Sequence, residues 1–211
     1  MLHGLGANAL EMQRLAKYLH ESGFSVVVPF IEGYTYGSDT QPWQVWLDQV
    51  LEHIWKLEEE YATVSVVGLS MGAVLGMVAA QRHPRALAGL VLLSVSLAYD
   101  GWSMPWYRGL LEISSWLPFA KNYRLKESEP YGLRNLEVRR RVAKQVLTQE
   151  TTEVGSASLS AKHLYQGLRL IRFAKSILSE SKTDRWVIRS SDEEGTRPQT
   201  ADLMQREVKS A

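Results

Sequence analysis

Three consecutive segments restrict this chain more than any others. Residues 63–68 read TVSVVG, residues 71–82 read MGAVLGMVAAQR and residues 87–94 read LAGLVLLS. The first and third are short, apolar and rich in valine and leucine, which predicts strands, the first of them buried. The dodecapeptide between them is apolar on almost every side, so it predicts a buried helix. A chain that must bury strand, helix and strand in that order builds a parallel sheet with helices packed on it.

The flanking sequence extends the alternation. Residues 8–22 place Leu10, Leu15, Tyr18 and Leu19 among charged residues, predicting an amphipathic helix that Gly23 ends. Residues 24–31 (FSVVVPFI) predict another buried strand, and residues 33–37 a loop. In residues 41–60, Trp43, Trp46, Leu47, Val50, Leu51, Ile54 and Trp55 recur at helical spacing. From about residue 98 to residue 181 no strand is expected. Aromatic residues and prolines crowd the first part, and helical patterns follow near 135–150 and 160–180. Residues 185–190 predict a last strand and 200–209 a last helix. The expectation is an α/β core of residues 1–97 and 182–211, with residues 98–181 as a helical insertion or as ordinary connecting helices.

Composition removes several function classes. The chain has 211 residues, 45% of them apolar, enough for one ordinary domain. Lys plus Arg number 24 and Asp plus Glu 23, so no electrostatic footprint for nucleic acid or an anionic membrane exists. The run Arg139-Arg140-Arg141 reads as an exposed helix face. Without cysteine there is no disulfide, thiolate metal site or cysteine nucleophile. No metal-ligand spacing is present, and no cofactor is expected. No apolar stretch reaches the ~18 residues of a membrane span, and Met1-Leu2-His3-Gly4 lacks the start of a signal peptide. A cytoplasmic protein is the default expectation.

Gly68-Leu69-Ser70-Met71-Gly72 joins the first of the three segments to the second. A G-x-S-x-G sequence between a buried strand and a buried helix predicts a tight, strained turn. It lifts Ser70 to the carboxyl edge of the sheet, at the positive end of the following helix. The bland alternative is a serine whose glycine neighbours merely let strand and helix pack closely. His3-Gly4-Leu5-Gly6 precedes the first helix and can aim a backbone N–H into the same place. The N–H groups of Leu5 and Met71 together would hold the oxyanion of a tetrahedral intermediate.

With these motifs the chain resembles the α/β-hydrolase family, specifically small carboxylesterases and monoacylglycerol lipases. His3-Gly4-Leu5-Gly6 resembles the family's oxyanion loop, and Val66 through Ala73 its nucleophile elbow. His83-Pro84 and Leu90-Val91-Leu92-Leu93-Ser94 resemble the helix end and strand that follow. The resemblance implies a mainly parallel sheet flanked by helices, a helical cap inserted after Ser94, and hydrolysis of small carboxylic esters through a Ser70 acyl-enzyme. It also implies an acid after the last strand. An ungapped match puts Glu193 there, and Asp192 takes the position if the turn is one residue shorter. A plain solvated turn is the other reading of these acids.

The family order ends on a histidine roughly 30 residues past the acid. Here Ala211 comes 18 residues after Glu193, with no histidine between. The five histidines all lie earlier, His3, His20, His53 and His83 with structural or surface roles and His163 in the cap segment. Only two residues precede His3, so the sheet is expected to be incomplete and the chain a fragment truncated at both ends. A catalytically impaired remnant or a non-enzymatic domain of the same fold is therefore the alternative to an active esterase. Trp102 and Trp106 are candidates to line an acyl pocket, or else pack the cap onto the sheet. A minor alternative uses Gly4-Leu5-Gly6-Ala7-Asn8-Ala9 as a dinucleotide fingerprint with Glu32 as its ribose-binding acid. The missing strand before Gly4 opposes it. Oligomeric state is not legible.

Overall fold

The structure is a computed structural model and describes residues 1–83, 85, 87–97, 124–126, 151–152, 155–156, 158–177 and 185–188. Its centre is a parallel three-stranded sheet in the spatial order β1 (Ser65–Leu69), β2 (Gly89–Leu93), β7 (Arg185–Ile188). The register pairs Leu69 with Leu93 and Leu93 with Ile188, so the carboxyl ends of all three strands reach one edge together. On the other side of β1, Leu2 adds a parallel bridge to Gly68. Its N–H donates to the Val67 carbonyl at 2.7 Å and its carbonyl accepts from the Leu69 N–H at 3.0 Å.

One face of this sheet is sealed by α3 (Met71–Arg82), in which every residue from Met71 to Ala80 is buried. Val66, Leu90 and Leu92 point into that interface, while Val67, Val91 and Leu93 on the opposite face are only half-buried. Burial of these strands is thus complete on one face and partial on the other. Helix α2 (Trp43–Glu60) buries Trp43, Trp46, Leu47, Val50, Leu51 and Ile54 beside α3, and leaves Trp55 exposed. Helix α4 (Ala161–Ser176) starts on Ser160, whose hydroxyl accepts the His163 N–H, and packs on both α2 and α3. Its Leu170, Ile171 and Ala174 belong to the same core.

Two expectations change. Residues 24–31 form no strand. Phe24, Val27 and Phe30 are 61%, 40% and 57% exposed. Between 25 and 30 the one backbone bond among the described residues comes from the Met1 amine to the Val27 carbonyl. A strand exists only when a neighbour supplies the complementary ladder, and among the described residues none is formed with residues 25–30. For the same reason the helix before it finds little to bury against. A 3₁₀ turn (Ala9–Met12), capped by the Asn8 side chain, runs into α1 (Gln13–Glu21), which has no buried residue. Gly23 ends it at φ +93°, as expected. An open, mostly apolar hollow of about 710 Å3 separates α1 from residues 26–30.

The second change lies between β2 and β7. Short strands occur there, β3 (Arg124–Lys126) antiparallel to β6 (Ser158–Ser160) and β4 (Thr151–Thr152) antiparallel to β5 (Gly155–Ser156). Pairing within the chain supplies the ladder that periodicity alone does not reveal. The remainder of the expected cap, the helix near 135–150 and the helix at 200–209 lie outside the described residues.

An exposed extended segment with unpaired backbone groups and large apolar side chains is a template for association. The chain is therefore expected to self-associate at micromolar concentration, and Val27→Lys combined with Phe30→Lys to reduce it. Sedimentation velocity at matched concentrations checks this; unchanged association would place the contact elsewhere.

Candidate active site

The turn from β1 into α3 has the strain that its sequence predicts. Ser70 sits at φ +56° and ψ −115°, a conformation that costs a non-glycine residue about 1–3 kcal/mol. Both glycines of the pentapeptide are required by close approach. A Cβ on Gly68 would collide with the Gly72 carbonyl and the Ala73 backbone. A Cβ on Gly72 would collide with the Leu2 and His3 carbonyls. The elbow is therefore pressed against the segment that leads into the Leu5 loop. Ser70 is half-buried, and its N–H donates to the Leu93 carbonyl at 2.9 Å. Its hydroxyl lies 2.9 Å from the Ser96 hydroxyl.

The loop is held from below by a hydrogen-bond network. The Ala7 N–H closes a turn on the Gly4 carbonyl, with Gly6 at φ +68°. The Gly4 N–H donates to the Glu11 carboxylate at 2.5 Å, and the Gly6 N–H to the Tyr34 carbonyl at 3.0 Å. The Tyr34 hydroxyl donates to the His3 carbonyl at 2.7 Å. The Ile31 N–H donates to the Thr35 hydroxyl at 2.9 Å. The Leu5 and Met71 N–H groups, by contrast, donate to no acceptor among the described residues. They are the donors at the loop and at the helix N-terminus that a ligand can still use.

His3 is fully buried, and both ring nitrogens are engaged. Nδ1 lies 2.7 Å from the Gly4 carbonyl, which can only accept, so Nδ1 carries the proton. Nε2 then accepts from the Thr35 hydroxyl at 3.1 Å. Burial, opposed by the Gly4 bond and assisted by the nearby amino terminus, holds the His3 pKa below its ordinary value. The structural role expected for His3 fits this geometry. His163 is held between Thr40 at 2.7 Å and Ser160 at 2.9 Å. His83 is buried at the end of α3, with Nδ1 2.8 Å from the Arg85 carbonyl. His20 is exposed and His53 half-buried. None of the five histidines is bonded to Ser70.

The dinucleotide alternative does not fit this loop. Its glycine N–H groups are already spent, and the carboxylate of Glu11 occupies the place where a pyrophosphate would need donors. The exposed Glu32 has its N–H bonded to Gln49. Asp192, Glu193, Trp102 and Trp106 lie outside the described residues. Sequence reasoning missed Glu11, Tyr34, Thr35 and Ser96. The tandem hydroxyls Ser94-x-Ser96 just past an apolar strand were the one visible signal. The other three are recognisable only once residues 31–36 are folded against the loop.

Parallel strands ending at one edge, a strained serine between β1 and α3, and a loop tied beside it together define an α/β-hydrolase core. The family model Hydrolase_4, described as serine aminopeptidase S33, matches residues 1–211. The chain belongs to this hydrolase family. Over 100 residues it is 28% identical to a thermostable monoacylglycerol lipase of Bacillus sp. (strain H-257), spanning 46% of this chain and 40% of that protein. The fold matches the Paleococcus ferrophilus monoacylglycerol lipase with a TM-score of 0.74 at 18% identity, covering 99% of this chain and 78% of that one. A soluble variant of monoglyceride lipase from Saccharomyces cerevisiae gives a TM-score of 0.75 at 14% identity, covering 100% and 73%. Among the described residues no helix is long and apolar enough to cross a membrane.

Two outcomes are expected from the site's geometry. Ser70→Gly relieves the positive φ and should raise unfolding free energy by about 1 kcal/mol in urea titrations. A lower value would show that the Ser70 side chain stabilises the turn. The unfolded chain binds a proton on His3 more readily than the folded chain does. Stability should therefore fall as pH drops below 6.5. The Met1 amine, pushed by burial from 8.0 to about 6, acts in the same direction between those values. Urea midpoints measured from pH 8.5 to 5 check this. The part of the decline below pH 6.5 should shrink in His3→Gln.

Proposed function

We propose that this chain is the core of a serine hydrolase acting on small carboxylic esters, as carboxylesterases and monoacylglycerol lipases do, through an acyl-Ser70 intermediate. The observation that carries the reading is Ser70 at φ +56°, half-exposed at the strand-to-helix turn, with Gly72 of the same turn packed on the Leu2 and His3 carbonyls that lead into the Leu5 loop. In this reading the Ser70 Oγ attacks the ester carbonyl. The carbonyl oxygen gains charge against the Leu5 and Met71 N–H groups. The alcohol departs with a proton, and water then releases the acid. Asp192 or Glu193 would supply the acid of the triad from the chain beyond β7, which ends at the same sheet edge as Ser70. Trp102 and Trp106 would line the acyl side within a cap of residues 98–181. A small ester substrate and a cytoplasmic setting belong to the same proposal.

One observation favours a second reading, in which this chain is a catalytically impaired member of the fold. The Ser70 hydroxyl is bonded to another hydroxyl and not to a histidine. An unassisted serine is a poor nucleophile at neutral pH, although an oxyanion hole and binding alone can retain ~10³–10⁴-fold over water.

The expected result with p-nitrophenyl acyl esters is trace turnover that Ser70→Ala lowers further. Fast turnover lost in Ser70→Ala would reveal a base that this arrangement does not show. Turnover unaffected by Ser70→Ala would overturn the assignment.

A further inference from the structure

Ser70 and Ser94 are the two non-glycine residues with positive φ among the described residues, at +56° and +48°. They stand at the carboxyl ends of adjacent parallel strands. Ser70 donates its N–H to Leu93, and Ser94 donates its own to Ile188 at 2.9 Å. Strain at two neighbouring strand ends persists only where the surroundings over-determine it, and such places gather at working sites. The left-handed step at Ser94 sends the chain on through Val95, Ser96 and Leu97, all buried. Apolar neighbours on both sides would suit an apolar residue at position 96. Instead a serine stands there, 8% exposed, with its hydroxyl 2.9 Å from Ser70 Oγ. A buried hydroxyl is costly unless bonded, and Ser70 is the partner it has.

We propose that Ser96 is a positioning residue for the nucleophile: its hydroxyl donates to Ser70 Oγ, fixes the Ser70 rotamer and steadies the charge that develops there during attack. The proposal rests on Ser70 being the nucleophile. Donation from Ser96 leaves the proton of Ser70 free for transfer away. It also strengthens as Oγ becomes negative, since hydrogen bonds to a charged acceptor are about twice as strong as neutral ones. Removing it should therefore slow attack and raise the pH at which attack becomes fast, without altering reagent binding.

The test uses an alkyl fluorophosphonate on the full chain, followed by intact-mass and peptide mass spectrometry. Ser70 Oγ forms the O–P bond, fluoride leaves and the hydroxyl proton passes to water. Ser96→Thr and Ser96→Val are isosteric and differ in the hydroxyl. Threonine should label within about two-fold of the unchanged chain. Valine should label roughly five- to ten-fold more slowly, with its pH profile displaced upward. Equal rates and equal profiles for the two variants overturn the proposal, because a packing role would affect both alike. If Ser96→Val loses its far-UV circular dichroism, Ser96→Ala takes its place against threonine on the same criteria. No adduct on Ser70 in the unchanged chain overturns the nucleophile assignment itself, and the role of Ser96 with it.

Discussion

Everything at the carboxyl edge of the sheet depends on how closely α3 approaches the backbone of Leu2 and His3. That approach exists because Gly72 has no Cβ; any side chain would occupy the space of two carbonyl groups. With the gap closed, the helix N-terminus, the strained serine and the Leu5 loop become one rigid unit. Gly68 performs the same service one turn earlier, where strand and helix nearly touch. The cost of a positive φ at Ser70 is met by the burial of α3, which is enclosed along ten consecutive residues.

Around that contact the molecule separates into a well-packed and a poorly packed half. α2, α3 and α4 share one apolar core with β1 and β2, and stacking of Trp43 on Phe173 at 4.9 Å joins α2 to α4. On the other side, Tyr18 of α1 and Phe24, Val27 and Phe30 carry apolar side chains that meet little protein. Yet the Leu5 loop, which connects the two halves, is not loose. Tyr34, Thr35 and Glu11 hold it through hydrogen bonds to His3, Gly4 and Gly6. Buried polar groups need such partners, and here meeting that need also fixes the direction of the donors.

Burial also chooses among the histidines. A residue type that usually signals acid–base chemistry is present five times. Its two most enclosed members, His3 and His83, are bonded to backbone carbonyls. His163 serves the start of α4 and the Thr40 hydroxyl. The Ser70 hydroxyl is left with the Ser96 hydroxyl for a neighbour.

Local sequence determined the elements whose stability is local or whose pattern has one solution. The all-apolar run 71–82 could only be a buried helix, and it is helical over those residues. The valine- and leucine-rich runs beside it predict strands and form them. G-x-S-x-G between them dictated the turn and the place of Ser70, and Gly23 dictated the end of α1. Tertiary structure decided whatever needs a partner distant in the chain. Residues 24–31 have the composition of a strand, but a strand is a relation between two segments, and among the described residues no segment forms a ladder with them. The pairing of Ser96 with Ser70, 26 positions apart, and the bonds from Tyr34 and Thr35 to His3 likewise arise only after folding. Hydrogen bonds between hydroxyls leave no periodicity in a sequence, whereas apolar burial does.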